Sequence, residues 1–418
     1  MRRMLWLSGM LMLALRPGVA AQSRLPLTWE QVRDRFEMNN PTLLAGRLNV
    51  EESRAQGVTA YLRPNPTLTL AADQIDPFGG GPAHGPLAYL LGTANLNYLH
   101  ERQHKRELRL ESAQKGTFIA TLEQADLDRN LLFSLRGAFV QIVQAKAVLD
   151  VAHANLEYYD HVLAVSGERY KAGDIAQIDL DRLELQRVQF ESDLQSAEVN
   201  LRTAKIQLLQ LLNDRTPVEQ LDVVGTFDFK EPLQSLEEFR KIALDARPDL
   251  RAAAQAVDKA STDHKLAIAN GSTDPILGFD MGRNPPIDQY LGVSVNVPLR
   301  IFDRNQGEKL RTKLDIDRSQ KLRDAMEAQV FGDVDSAFAT LNSTLILLRP
   351  YKAKYLQQAV KVRDTVYFSY QHGGASLLDF LNTESEFRSV QLNYVNLVGS
   401  YLMAAGQLNL AVGREVIQ

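Results

Sequence analysis

One pattern occurs twice in this chain, 200 residues apart, and it limits the folds open to it. Arg169-Tyr170-Lys171-Ala172-Gly173-Asp174-Ile175-Ala176-Gln177-Ile178-Asp179-Leu180 aligns with Ser369-Tyr370-Gln371-His372-Gly373-Gly374-Ala375-Ser376-Leu377-Leu378-Asp379-Phe380. Tyr, Gly and Asp keep their relative places, and Glu184 and Glu384 follow. Downstream, Phe190, Leu194, Ala197, Leu201, Ala204, Leu208 and Leu211 alternate steps of four and three, as do Val390, Tyr394, Leu397, Tyr401, Ala404, Leu408 and Ala411. That period of about 3.5 residues is a coiled-coil seam.

Upstream of Tyr170 the same step runs through Leu135, Ala138, Ile142, Ala145, Leu149, Ala152, Leu156, Tyr159 and Leu163. No proline lies between Glu101 and Glu168. At ~1.5 Å per residue such a helix reaches roughly 100 Å. The second copy predicts a helix from Gln306 to Ser369, kinked at Pro350. Gly173 and Gly373 end the long helices and reverse the chain. Helices of this length favour an extended rod over a compact bundle. The starts of the copies also match. Thr28-Trp29-Glu30-Gln31-Val32 precedes Asn40-Pro41, and Ser235-Leu236-Glu237-Glu238-Phe239 precedes Arg247-Pro248. Each reads as a capped helix, then a proline that restarts one. The predicted organisation is an export signal over 1–21 and two structural repeats over 22–223 and 224–418.

The signal has a basic head (Arg2, Arg3), an apolar run from Met4 to Leu15, a break at Arg16-Pro17-Gly18 and small residues at Val19-Ala20-Ala21. The run is too short to span a bilayer, and no run of 18 apolar residues follows it. A membrane-spanning part would have to be a closed β-barrel. The chain has no cysteine, which excludes disulfides, thiolate metal sites, cysteine catalysis and a lipid anchor on cysteine. Its net charge of −4 becomes −7 once Arg2, Arg3 and Arg16 leave with the signal, and that argues against a nucleic-acid partner.

Two strand-like segments fall between the helical blocks of each copy. They are Pro66–Asp73 and Thr93–Tyr98, then Pro275–Gly282 and Leu291–Leu299. Leu68 and Leu70, then Ala94, Leu96 and Tyr98, then Leu277, Phe279 and Met281, then Val293, Val295 and Val297 each take one face. Thr93, Asn95, Asn97, Ser294 and Asn296 take the other. The connecting segments, Asp76 to Pro82 and Arg283-Asn284-Pro285-Pro286, read as loops. Four strands cannot close a membrane barrel, which needs about eight. Either several chains contribute four strands each, or these are hairpins on a periplasmic coiled-coil protein without a pore.

This order of helices, strands and Tyr-x-x-Gly turns resembles the TolC-like outer-membrane efflux proteins over essentially the whole mature chain. Val297-Pro298-Leu299 before Phe302-Asp303-Arg304-Asn305 is similar to the family's exit from strand to long helix. Glu101 with Lys105-Arg106 is similar to a signature of the branch serving heavy-metal and related cation efflux. The resemblance implies a mainly α fold with a small β part: a coiled-coil tunnel plus four strands per chain, closing as a homotrimer into a twelve-stranded barrel. It implies an exit duct in the outer membrane with a large periplasmic portion. The implied partners are a periplasmic adaptor (membrane fusion) protein, an inner-membrane transporter of the RND type and outer-membrane lipid, with no enzyme activity and no cofactor.

By the same resemblance the periplasmic gate falls on Asp379 and Asn382, with Asp179 in the first copy and Tyr370 in the links that hold the tip closed. The family's second acidic position is Asn382 here, and the arginine that completes the link in some members falls at Ala375. Tyr170, Gly173 and Gly373 mark the tip turns and adaptor-docking surface. Independently of family, three copies of Asp379 at a narrow ring would attract cations and raise one another's pKa. Asp179 and Asp379 also fit ordinary first-turn carboxylates on helix dipoles.

His100-Glu101-Arg102-Gln103-His104 matches the zinc-protease pattern H-E-x-x-H. It begins where a strand ends, and the next histidine is His153, so a protease is disfavoured and no metal site is expected. Its plainer reading is a polar collar below the membrane, with Lys105 and Arg106 meeting lipid headgroups. His372 is a solvated histidine of the second tip.

Overall fold

The computed structural model describes residues 26–75, 90–230, 234–284 and 287–417. The export signal, the glycine-rich loop from Asp76 and the Pro285-Pro286 turn lie outside the described residues. The order is α1 (Trp29–Asn39), α2 (Pro41–Ala60), β1 (Thr67–Asp73), β2 (Leu91–Leu99), α3 (Lys105–Ala172) and α4 (Gln177–Leu211). The same order follows in α5 (Leu236–Ala246), α6 (Pro248–Asn270), β3 (Ile276–Asn284), β4 (Ile287–Asn296), α7 (Gln306–Pro350), α8 (Leu356–Gln371) and α9 (Leu377–Val412).

Local chemistry explains the repeated helix starts. Thr28 with Gln31, and Ser235 with Glu238, form reciprocal capping boxes on α1 and α5. Pro41 and Pro248 open α2 and α6 at positions where a missing N–H costs nothing. The start of the first copy is pinned to its end, since Leu27 N donates to Asp222 O and Val224 N to Leu27 O, both at 2.9 Å.

The 68-residue α3 is one unbroken helix. Its counterpart is not, because Pro350 removes an N–H and a π turn over Tyr351–Tyr355 takes up the mismatch before α8. The expected kink therefore takes the form of a widened turn. The predicted seams are the covered faces. Leu135, Ala138, Ile142, Ala204 and Leu208 are buried in one core, and Tyr401, Ala404, Leu408 and Ala411 in another against Val334, Ala337 and Leu341. By composition α3 and α9 each hold a stretch apolar enough for a bilayer, contrary to the run-counting expectation. Both helices carry these core residues, and α3 is over three times the ~20 residues that a bilayer takes, so their apolar faces serve helix packing.

The four strands form one antiparallel sheet in the order β1-β2-β3-β4, so the two copies meet at the β2–β3 pair. Strand ends differ from the sequence expectation, and β2 runs longer at both ends, over Leu91–Leu99. Arg283 and Asn284 belong to β3 instead of the loop. β4 starts earlier and stops at Asn296, because Pro298 has no N–H for the ladder.

The junction of sheet and helices rests on an ion pair. Lys105, 4% exposed, sets Nζ 2.5 Å from Asp274 Oδ2 and 3.0 Å from Ser272 O. The Arg102 N–H donates to the other Asp274 oxygen at 2.9 Å. Lys105 therefore does not meet headgroups; burial and its partner hold it inside. Arg106 stacks instead on the Tyr61 ring at 4.3 Å. Lys105→Ala leaves Asp274 uncompensated, and a loss of about 3 kcal/mol is expected. Denaturant midpoints in detergent check this, and an unchanged midpoint would show the pair to be dispensable.

Candidate functional site

At one end of the molecule lies the sheet. Its register puts Leu68, Leu96, Phe279 and Val293 side by side, and likewise Leu70, Ala94, Met281 and Leu291. Tyr98, Leu277 and Val295 extend the same face. Ala94 and Tyr98 are half-buried and the rest are exposed, Val293 at 86%. An apolar patch continuous over four strands is far beyond what a water-facing surface carries singly. The opposite face aligns Asn97, Gly278 and Ser294, and Asn95, Asp280 and Gly292. Glycine leaves room there: a Cβ at Gly292 would sit 2.7 Å from the Asp280 carboxylate, which would have to turn aside. Apolar outside and polar or small inside is the pattern of a lipid-facing barrel wall. The outer edges of β1 and β4 have no partner strand among the described residues.

The H-E-x-x-H segment sits at the inner rim of this sheet and is not helical. Gln103 and His104 both have left-handed backbones, with φ of 59° and 55°. The two histidines therefore lack the one-face helical geometry of a zinc site. Glu101 is bound by Arg109, with Nη2 to Oε2 at 2.9 Å. No cluster of three metal-ligating side chains occurs among the described residues.

At the far end of the long helices are the two turns. Gly173 (φ 83°) and Gly373 (φ 74°) adopt the left-handed conformation that only glycine takes without strain. Gly173 N donates to Tyr170 O at 3.0 Å, and Gly373 N to Tyr370 O at 3.2 Å. The same motif lands in two different environments. Tyr170 is 39% exposed, its hydroxyl 3.5 Å from Gln177 Oε1. Tyr370 is 7% exposed and stacks on Phe380 with ring centroids 5.3 Å apart. Arg169, not residue 375, supplies the cation beside Tyr370, with its guanidinium 5.3 Å from the ring centroid. The sequence signal for that arginine was its place one residue before the first tyrosine.

Asp379 is exposed and closes a capping box on α9. Ser376 N and Oγ reach its carboxylate at 3.0 and 2.7 Å. These bonds favour the charged form and hold its carboxyl below the ordinary value, opposite in direction to the crowding expected at a ring of three. A depressed pKa means the cap stabilises above the unfolded-state value and is lost as pH falls through the folded one. Asn382 is exposed further along α9. Asp179 is half-buried in the first turn of α4, 3.9 Å from Arg182, and acts electrostatically on Tyr370. Its helix starts at Ala176 with no side-chain cap. The tip thus brings Asp179, Tyr370 and Arg169 together and leaves Asp379 and Asn382 apart from them, exposed on the surface.

A third feature runs along α4. Ile178, Leu185, Val199 and Ile206, at multiples of seven, are all exposed. This is a second seam on a helix whose first seam is already covered.

Residues 240–414 match the family described as Outer membrane efflux protein. That match falls within the second copy of the repeated pattern. The chain is an outer-membrane channel for efflux, with a large periplasmic helical part, and not an enzyme. It is 21% identical over 393 residues to the cobalt-zinc-cadmium resistance protein CzcC of Cupriavidus metallidurans, covering 93% of this chain and 90% of that one. It is 25% identical over 356 residues to the pyoverdine export outer membrane protein OpmQ of Pseudomonas aeruginosa, covering 82% and 71%. The fold matches CusC with a TM-score of 0.78 at 18% identity, covering 92% of each chain. It matches VceC of Vibrio cholerae with a TM-score of 0.74 at 16% identity, covering 92% and 96%. Family members are trimeric and work with a periplasmic adaptor and an inner-membrane transporter.

The two faces of the sheet make opposite predictions. Val293→Arg puts a charge on the lipid side, at a cost of about 2–4 kcal/mol near mid-bilayer, whereas Asn95→Arg points it inward at little cost. The fraction folded into liposomes should fall for the first and hold for the second. Equal loss for both would refute this facing.

Proposed function

We propose that three copies of this chain close a twelve-stranded outer-membrane barrel and a periplasmic tunnel of helices, whose entrance is the tip bearing Gly173 and Gly373. The observation that carries this reading is the sheet with one continuous apolar face and, among the described residues, two unpaired edges. No lipid-facing edge is tolerable, so β4 of one copy must pair with β1 of the next. The exposed seam on α4 gives the helical part a matching reason to associate. On this reading the halves 22–223 and 224–418 each contribute one hairpin and one pair of long helices to the wall.

Asp379 and Asn382 then project from the start of α9 into the entrance, and three Asp379 carboxylates form a single acidic ring. The ring favours cations and opposes anions. Asp179, Tyr370 and Arg169 tie the helices beneath it. Tyr170, Gly173 and Gly373 present a knob for the periplasmic adaptor, with an RND-type transporter supplying energy from the inner membrane. The proposed cargo class is metal cations. Support comes from the acidic ring and from the relative whose name concerns cobalt, zinc and cadmium, which aligns with 93% of the chain. Glu101, Lys105 and Arg109 build the sheet–helix junction, so the branch signature itself has a structural role.

Single-channel recording in planar bilayers tests the gate. Asp379→Ala should enlarge the conductance and reduce cation selectivity. Ser376→Ala removes the cap, worth about 1 kcal/mol, yet keeps the charge, so selectivity should stay. A selective pore unaltered by Asp379→Ala removes the gate assignment. A folded trimer that never inserts removes the barrel.

A further inference from the structure

Glu184 and Glu384 occupy the same place in the two copies, five residues after the tip aspartates. Glu184 is exposed, but Glu384 is 5% exposed, enclosed where α9 meets α3 and α8. Its surroundings are aromatic. Tyr159 stacks on Phe190 at 4.5 Å, Tyr158 meets Tyr367 edge-on at 5.9 Å, and Tyr367 lies 5.5 Å from Phe380. Glu384 acts electrostatically on the hydroxyls of Tyr158 and Tyr159 from α3 and of Tyr367 from α8.

The charged groups nearby are already engaged. From α8, Arg363 lies 4.4 Å over the Tyr158 ring and 4.3 Å over the Phe387 ring, and bonds Asp364 at 2.8 Å. On α9 itself, Arg388 donates to Asp193 of α4 at 3.0 Å and covers Phe190. Arg187 of α4 bonds Asp160 of α3 at 2.5 Å. The Glu384 Oε1 atom is buried without a hydrogen-bond partner, as is the Tyr158 hydroxyl. A carboxylate oxygen so placed has lost its water and gained no donor in exchange.

We propose that Glu384 is a proton-operated latch of the periplasmic tip: neutral, it lets α8 and α9 pack on α3 through the Tyr158, Tyr159 and Tyr367 cluster; ionised, it loosens that packing. The geometry alone makes the neutral form the better fit. Burial pushes the Glu384 carboxyl up to about 7, with Asp364 adding to the shift and Arg363 and Arg388 opposing it. A raised folded-state pKa means the contribution to stability is full below the unfolded value near 4.5 and falls as pH rises to about 7. The tip is therefore tighter in a mildly acidic periplasm and looser in a neutral one. Any effect on conduction rests on the reading of the tip as the entrance.

The chain has no cysteine, so one introduced residue can be labelled alone. His372→Cys places a spin label at the exposed second turn and removes the tip histidine. His161, exposed on α3, is common to every variant. Label mobility in the full-length trimer should rise between pH 5.5 and 8 with a midpoint near 7, and this change should be lost in Glu384→Gln. Glu384→Met, apolar and of similar length, serves if the amide variant does not fold. An unchanged titration in both variants, or no titration at all, overturns the latch. Conductance is recorded across the same pH series. A label that titrates over a conductance that does not keeps the latch and rejects the tip as the entrance.

Discussion

A strand edge cannot face hydrocarbon, because each bare N–H or C=O there costs several kcal/mol. Among the described residues this chain has one four-stranded sheet whose outer strands, β1 and β4, lack neighbours, and whose apolar side chains share one exposed face. The rest of the architecture follows from meeting that constraint. The sheet is assembled from both halves at β2–β3, so neither half builds a wall alone. Long helices then carry the turns roughly 100 Å from the membrane, at ~1.5 Å per residue, where water is available to polar groups.

Between sheet and helices the chain must change from extended to helical backbone in a few residues. It does so through left-handed residues at the same stage of both copies, His104 (φ 55°) and Asn305 (φ 62°). Asn305 Nδ2 reaches back to Ala267 O at 2.7 Å, and Lys105 to Asp274. Polar side chains thus satisfy backbone and charge where neither ladder nor helix does. A motif that reads as zinc chemistry and a signature that reads as cargo class both belong to this structural joint.

Duplication followed by divergence is visible at the tip. The turns are alike because each needs glycine in a left-handed conformation. Their flanks differ because α8 and α9 enclose the second turn's aromatic residues together with Tyr159 and Phe190. Ser376 caps α9 while Ala176 leaves α4 uncapped. Equal sequence positions have therefore become a surface carboxylate, a buried carboxyl, an exposed tyrosine and a stacked one.

Much of this was legible in the sequence, for reasons that are local. Heptad steps, glycine turns, capping boxes and strand alternation each depend on residues within a few positions of one another, and they fixed the element order and the lipid face. The covered stripes Leu135–Ile142 and Tyr401–Leu408 lie where the period put them. What only the tertiary structure decided depends on residues far apart in the chain. Pairing Lys105 with Asp274 spans 169 positions, and Arg388 with Asp193 spans 195. The burial of Glu384 and the exposure of Glu184 cannot be read from two motifs that look the same. Which neighbours surround a side chain, and hence whether it can hold a charge, is set by packing between helices, and no local pattern encodes it.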